Sequence, residues 1–569
     1  MSLRTRLQLA SPPRFAAAPL GACRFIRRSS TAALEGHAWI DGRFDRTSAR
    51  LLPIHDPARG TRIGSISIPT PTQVSTALST AHSAFDSGLG AWSSPDAVHL
   101  RSEALSRLAG ILRQRAPELA LLESQQTGRC IREFRAQLAR LYEWFDYYAA
   151  LIRVGERSIL PLRGQLLGYK SRRPLGVVLQ ITPFNHPLLI AVKKLAAALA
   201  AGNSVIIKPS EIAPLTVLQL GPMVQAAGIP DGVVQILPGA AETAKMLVED
   251  DRVRKIDFTG GTRVGTLLSE HAGRRLVPIT TELGGKAPLV VMDDCPVDVA
   301  VNGASFAAFV ASGQTCVSAT RIIVHERIFD AFLAAFARRA DAIAKRMGDP
   351  QNPATLLGSL ISRTHVDKLH SSVQSAVSGP WRCVTGGQIP AGAAFDGHDL
   401  GAGAFYPPTI LAPADGAEEG ALRSSAMWQD EAFGPVVCVV PFRDDAHAVE
   451  LANDSRFGLG ASVWTQDHAR FHRLVPAINA GIVWLNTHHR NDPSSPWGAV
   501  SPSGTASAVG LGANPSGIGR ENGIEALNAY STLQSVTINY ADTATMRASE
   551  DWFKPADDSS DTQTQVRYG

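Results

Sequence analysis

Apolar positions first recur at helical spacing, then at strand spacing. Between Gln73 and Leu122, Ala77, Ala81 and Phe85 fall four apart, and Leu105, Leu108, Ile111 and Leu112 form one helical stripe. From Gly176 the pattern changes to short apolar runs separated by helical stretches. The runs predict strands over 176–181, 204–207, 233–237, 255–258 and 278–280. Helices are expected from Pro187, after Pro214, over 241–248 and near Val264. Strands alternating with helices predict a parallel, doubly wound α/β sheet. A second α/β block follows Gly285, with strands over 288–291 and 321–324 and helices over 298–310 and 329–347. Residues 381–430 are rich in Gly, Ala and Pro and read as long loops. Strands resume over 436–440 and 481–484, and 535–540 alternates as a late strand. No internal repeat is apparent.

In open α/β sheets, ligands sit beyond the carboxyl ends of the strands. Polar and turn residues collect at those positions here. Phe184-Asn185 follows the first strand, Lys208 and Glu211 the second, and Pro238-Gly239 the third. Thr259-Gly260-Gly261 follows the fourth, and Glu282 the fifth. One sheet edge thereby gathers a carboxamide, an ammonium, two carboxylates and a glycine turn. Beyond it lies Cys316, in Ser312-Gly313-Gln314-Thr315-Cys316, one strand and one helix after Thr281-Glu282-Leu283-Gly284-Gly285-Lys286. A thiolate attacks carbonyl carbon, and a carboxylate activates water.

Composition narrows the class. The 569 residues are 45% hydrophobic and 19% charged, which fits a globular protein with a large core and more than one domain. The net charge of +4 comes from one segment. Residues 1–34 hold six arginines and no acidic side chain; without them 49 basic groups face 51 acidic ones, a net charge of −2. The remainder shows no bulk basicity that would suggest nucleic acid. The Arg-rich, acid-free segment reads as a mitochondrial transit peptide, or else as a basic tail or misplaced start; without it the expected place is the cytoplasm. No uncharged apolar stretch reaches the ~18 residues of a membrane span, and the most apolar helix candidate carries Lys193 and Lys194. Six cysteines with no Cys-x-x-Cys pair exclude a disulfide framework and a zinc site. Cys295, Cys383 and Cys438 read as packing residues, and Lys286 as structural.

With Pro183-Phe184-Asn185, Lys208-Pro209-Ser210-Glu211 and Glu431-Ala-Phe433-Gly-Pro435 in order, the chain resembles the NAD(P)-dependent aldehyde dehydrogenase superfamily from about Trp39 to Tyr540. The resemblance implies oxidation of an aldehyde to a carboxylic acid with NAD, NADP remaining open. It implies Cys316 as nucleophile, Glu282 as general base for thioester hydrolysis, and Asn185 with the Cys316 N–H as oxyanion donors. Lys208 and Glu211 would hold the adenosine ribose, Glu211 leaning the choice towards NAD. Thr259, Gly260 and Gly261 would face the pyrophosphate, Glu431 the nicotinamide ribose, and Phe184 and Phe433 would complete the cofactor site. Relatives that pass the acyl group to coenzyme A often lack the carboxylate at Glu282, so a free acid is expected. A coenzyme A-acylating semialdehyde dehydrogenase, or a non-catalytic protein on the same fold, are the alternatives. No metal is implied.

The implied fold has a coenzyme domain over 35–152 and 172–283, and a catalytic domain over 284–515. A small β element over 153–171 and 530–541 would join a homodimer or homotetramer, and a mobile tail is expected over 542–569. The chain departs from the family between Pro496-Trp497-Gly498-Ala499 and Ser516-Gly-Ile-Gly-Arg-Glu521, where a Gly/Ser/Ala/Pro-rich insert occupies 500–515. It is either a surface loop or intron-derived sequence, the second being favoured. The loop from Asn486 to Asp492 falls where relatives line the substrate tunnel. There His488, His489 and Arg490 either favour a polar aldehyde or form a solvated loop.

Overall fold

Five short apolar runs become five adjacent parallel strands in the computed structural model, which describes residues 34–86, 92–156, 158–500 and 516–549. They are β1 (Val177–Ile181), β2 (Ser204–Lys208), β3 (Val234–Ile236), β4 (Val253–Thr259) and β5 (Ile279–Glu282). Their order across the sheet is 5-4-1-2-3. The chain therefore winds outward from β1 to β3, returns to the other side of β1, and winds outward again through β4 and β5. The reversal creates a crevice between β1 and β4, where ligands bind in doubly wound sheets. Burial on both faces explains why β1 and β2 are mostly apolar rather than alternating. Helix Pro187–Ala200 covers one face and is buried along nearly its whole length.

Antiparallel strands close both edges of this sheet. Ala38–Ile40 and Arg43–Asp45 lie beyond β3, and Gly517–Ile518 pairs with β5. The expected helical region before β1 is two main helices, Pro71–Asp86 and Val98–Thr127.

The second sheet contains β6 (Pro288–Val291), β7 (Arg321–His325), β8 (Trp381–Thr385), β9 (Thr409–Pro413), β10 (Val436–Phe442), β11 (Gly460–Trp464) and β12 (Ile482–Leu485). The order is 8-9-10-7-6-11-12, and β8 alone runs antiparallel to its neighbour. Residues 381–430 are thus not simply long loops. They hold β8, β9 and two short helices, Glu419–Ser424 and Ala426–Gln429. Five-residue strands leave too little periodicity to stand out from so much Gly, Ala and Pro.

A third, three-stranded sheet joins distant parts of the chain. Leu166–Pro174 pairs antiparallel with Ser531–Asn539, from Ser531 against Pro174 to Asn539 against Leu166, with Ile159–Leu160 on its other side. The late strand begins earlier than its alternation suggested. After it, the expected tail starts with a helix, Thr543–Ser549. All of the expected transit segment 1–34 but its last residue, most of the insert (501–515) and residues 550–569 lie outside the described residues. No helix among the described residues is long and apolar enough to cross a membrane.

Candidate active site

The segment leaving β1 carries Asn185 to the mouth of the crevice. Its side-chain Nδ2 donates to the carbonyl oxygen of Gln314 at 2.9 Å, while the Gln314 side chain accepts from the Ile361 N–H at 3.0 Å. This contact ties the first sheet to the loop before Cys316. A carboxamide has two N–H protons, so one remains for an oxygen held beside the thiol.

The Cys316 loop is strained and held from several sides. After helix Val297–Phe309, Ala311 and Ser312 adopt φ of 57° and 53°, and Gly313 adopts 71°. Left-handed backbone costs L-residues roughly 1–2 kcal/mol each, and such strain persists only where the surroundings enforce it. Here the Ala311 N–H donates to Glu133 Oε2 at 3.0 Å, and the Ser312 hydroxyl donates to the Gly358 carbonyl at 3.1 Å. Gly313 packs directly on the backbone of Gly434 and Pro435. Burial pushes the Cys316 thiol up to about 12, with the Glu282 and Glu431 carboxylates adding to it and Lys193 opposing. The thiol is therefore neutral at rest, and attack requires a base.

Glu282 ends β5, and its side chain is buried with no hydrogen-bond partner for either oxygen among the described residues. Gly498 leaves room for it: a Cβ there would lie 2.9 Å from Glu282 Oε1. Burial first, then the charge of Glu521, raises the Glu282 carboxyl well above the ordinary range, against the pull of Lys193 and Lys194. Glu521 goes the other way. Despite its burial, the two ammonium groups bring it to about 2. Lys193 Nζ meets Glu521 Oε2 at 2.7 Å, and Lys194 bonds both Glu521 and Asp257. Two carboxyl groups thus share one buried site: the lysines hold Glu521 charged, and Glu282 has the higher proton affinity. Glu282 remains the group able to take a proton in exchange with thiol or water.

The outer part of the crevice is suited to a dinucleotide. Lys208 Nζ and Glu211 Oε2 pair at 3.2 Å, with the Glu211 side chain half-exposed. Helix Thr262–Arg275 starts at Gly261 with no side-chain cap on its first turn, and no atom lies within 4 Å of where a Gly261 side chain would begin. Helix starts attract phosphate; the Gly260 N–H is spent on the Glu282 carbonyl at 3.1 Å, and the open space over Gly261 lets a pyrophosphate approach the turn formed by Thr259, Gly260 and Gly261. Further in, Glu431 Oε1 accepts from the Gly285 N–H at 3.0 Å. Phe433, at φ 55°, sits edge-on to Phe184 with ring centroids 5.8 Å apart, and its carbonyl contacts His365 Nε2 at 2.8 Å.

All eleven site residues expected from the sequence line one cavity of about 760 Å³. The sequence reading missed others on its wall, namely His186, Lys193, Trp497 and Glu521. Two lysines inside the most apolar helix were the available signal. One open alternative divides residue by residue, and one expectation needs correction. Of the three candidate polar residues in the late loop, only His489 lines the cavity. His488 is spent on the Val317 carbonyl at 2.6 Å, while Arg490 is exposed and bonds Thr487. Cys383 is exposed rather than packed, because it stands on the edge strand β8; Cys295 and Cys438 are buried.

Comparison with known proteins agrees with this geometry. The Aldehyde dehydrogenase family matches residues 44–536. PnpE from Pseudomonas sp. WBC-3 is 35% identical, with a TM-score of 0.81 over 89% of this chain and 98% of its own. An NAD-dependent aldehyde dehydrogenase from Sinorhizobium meliloti is 31% identical, with a TM-score of 0.81 over 89% and 95% of the two chains. Betaine aldehyde dehydrogenase from Staphylococcus aureus, solved in complex with NAD+, is 30% identical, with a TM-score of 0.81 over 91% and 96%. With a half-buried cysteine after a strained loop, lining one cavity with a buried carboxyl group at a dinucleotide crevice, the chain belongs to the aldehyde dehydrogenase family and is an oxidoreductase acting on aldehydes.

Proposed function

We propose that Cys316, Glu282 and Asn185 carry out NAD-linked oxidation of an aldehyde to a free carboxylic acid. The observation that carries this reading is the meeting of all three in one cavity with an uncapped helix start at its far end. Glu282 takes the Cys316 proton, and the sulfur adds to the aldehyde carbon. The second Nδ2 proton of Asn185 and the Cys316 N–H hold the oxygen of the thiohemiacetal. Bound NAD+ accepts the hydride. What remains on Cys316 is a thioester; Glu282, after passing the first proton to solvent, takes one from the water that releases the acid and returns it to the departing sulfur.

Residues Lys208 and Glu211 bind the adenosine ribose in this reading, and a carboxylate there disfavours a 2′-phosphate. The Gly285 N–H keeps Glu431 facing the nicotinamide ribose, and Phe184 and Phe433 bound the nicotinamide. Incubation with NAD+ and an aldehyde panel, without coenzyme A, tests the assignment. NADH and free acid from the wild type, and none from Cys316→Ala, is the expected result; equal rates from both would overturn it.

Two coarser features extend the proposal. The chain assembles as a homodimer or homotetramer through the third sheet. There Ser531–Asn539 is an edge strand, with Leu533 and Ile538 exposed alongside Leu166 and Leu167. Edge strands offer unpaired backbone groups to a second copy. The Arg-rich, acid-free first segment directs the chain to mitochondria. Sedimentation of the purified protein tests the first, and imaging of a carboxyl-terminal fluorescent fusion with and without residues 1–34 tests the second.

A further inference from the structure

Helix Pro187–Ala200 turns one face to the cavity. His186 sits at its N-cap, Leu189 and Ile190 follow, and Lys193 completes the face. These positions share one side of a helix, and the Lys193 side chain leans back towards His186.

The proton on His186 is located by its neighbours. Its Nδ1 lies 2.9 Å from Arg129 Nη1 and 2.9 Å from Gln137 Nε2. A guanidinium only donates, so Nδ1 accepts and Nε2 carries the hydrogen. Burial, then the Arg129 charge, holds the ring well below its ordinary pKa and so neutral. His186 is only 5% exposed, and its Nε2 has no hydrogen-bond partner among the described residues. An unmatched buried donor on a cavity wall calls for an oxygen from a ligand.

Lys193 supplies a second donor beside it. One bond goes to Glu521, and Nζ stands 4.9 Å from the Trp497 ring centroid. An ammonium group has three protons, so Glu521 does not exhaust it. Its charge is felt at Cys316, His186 and His489 alike. His489 closes the wall, its ring 5.8 Å from His186 and 6.1 Å from Trp497. Lys193 and Lys194 balance Glu521 and Asp257 at this end of the cavity, so an incoming anion meets no uncompensated charge from that pair of carboxylates.

We propose that this wall receives the far end of the substrate and that the far end is a carboxylate. An aldehyde carbon at Cys316, with its oxygen at Asn185, starts one residue from His186, and the remainder of the molecule runs along the helix face towards Lys193. An alkyl tail would leave a buried N–H and an ammonium group unmatched, the situation in which polar sites reject apolar analogues. A hydroxyl would satisfy His186 alone, whereas a carboxylate accepts from both. The inference rests on the assignment of Cys316 as nucleophile and names the substrate class of that same site.

The test uses the full chain with NAD+. It compares ω-oxo carboxylates of three to six carbons with n-alkanals of equal length. At the best-fitting length kcat/KM is expected to favour the carboxylate by about tenfold or more, mostly through KM. His186→Phe and Lys193→Met are each expected to shrink that ratio several-fold. Competition in the wild type gives a reading independent of the variants: unreactive n-alkanoates should inhibit at lower concentration than the matching alcohols. A ratio at or below one for every length, or alcohols competing better than alkanoates, overturns the carboxylate assignment while leaving aldehyde oxidation standing. No NADH from any aldehyde overturns both.

Discussion

The carbonyl oxygen of Cys316 lies over Gly285, so close that a side-chain carbon on Gly285 would fall 2.0 Å from it. The same glycine donates its N–H to Glu431. One residue without a side chain therefore fixes the heights of the nucleophile loop and of the Glu431 carboxylate together. Gly285→Ala is expected to displace the thiol. Misplacement by about 1 Å can lower a rate about a hundredfold, so steady-state kcat/KM should fall by that order while circular dichroism stays native. Unaltered kinetics would show that the close approach has no bearing on catalysis.

Asn185→Ala removes a side-chain oxyanion donor. Loss of one such donor costs about 3–4 kcal/mol of transition-state stabilisation, or 10²–10³ in kcat. Because the same amide also ties down the Gln314 carbonyl, Asn185→Asp serves as the shape-matched comparison and should be similarly slow. A kcat within a few-fold of wild type in both variants would remove Asn185 from the chemistry.

The Glu282 carboxyl titrates above the ordinary carboxylate range. As pH rises through its raised pKa the basic form grows, so the rate of thioester hydrolysis should climb with pH over that interval. Glu282→Gln cannot titrate. If it still acylates, rapid mixing should show one burst of NADH per active site, followed by very slow turnover, with the acyl adduct on Cys316 visible by intact-protein mass spectrometry. Normal steady-state turnover in this variant would rule out Glu282 as the hydrolytic base.

Glu521→Gln would leave Lys193 and Lys194 without their shared counter-ion. Breaking a buried ion pair on one side typically costs about 3–5 kcal/mol. The folded pKa of Glu521 lies below its unfolded value, about 4.3 for a free Glu, so its stabilisation is present above that value and fades as pH falls towards 2. The gap in Tm between wild type and variant should be largest near neutrality and narrow on acidification. A gap that is constant or widens at low pH would contradict the charge assignment.

Cofactor choice follows from the Lys208–Glu211 pair, whose carboxylate would face a 2′-phosphate if one were bound. NAD+ should be preferred over NADP+ in kcat/KM. Glu211→Gln should narrow the preference by roughly tenfold or more, about 1.4 kcal/mol. An unchanged ratio would place cofactor discrimination elsewhere.

The sequence was legible where one local pattern settled the outcome. Short, mostly apolar runs alternating with helical stretches read as strands of a parallel sheet, and the residues after them collect at one sheet edge, because parallel strands all end on the same side. Asn185, Lys208, Thr259 and Glu282 were found that way. Strands β8 and β9 escaped because an edge strand is half-exposed and a five-residue run carries little periodicity. Arg490 was weighed as a site residue because loop position was visible while direction was not.

What the chain's order of residues determined by itself was the set of strands, their alternation with helices, and the chemical groups at each strand end; those depend on neighbours a few positions apart. Only the tertiary structure decided that two lysines hold Glu521 charged, that His186 keeps an unmatched proton on Nε2, and that Lys193 belongs to the cavity wall. Each of these depends on groups such as Arg129, Glu521 and Gly498, far apart in the chain, and electrostatics in a dry site is set by distance through space.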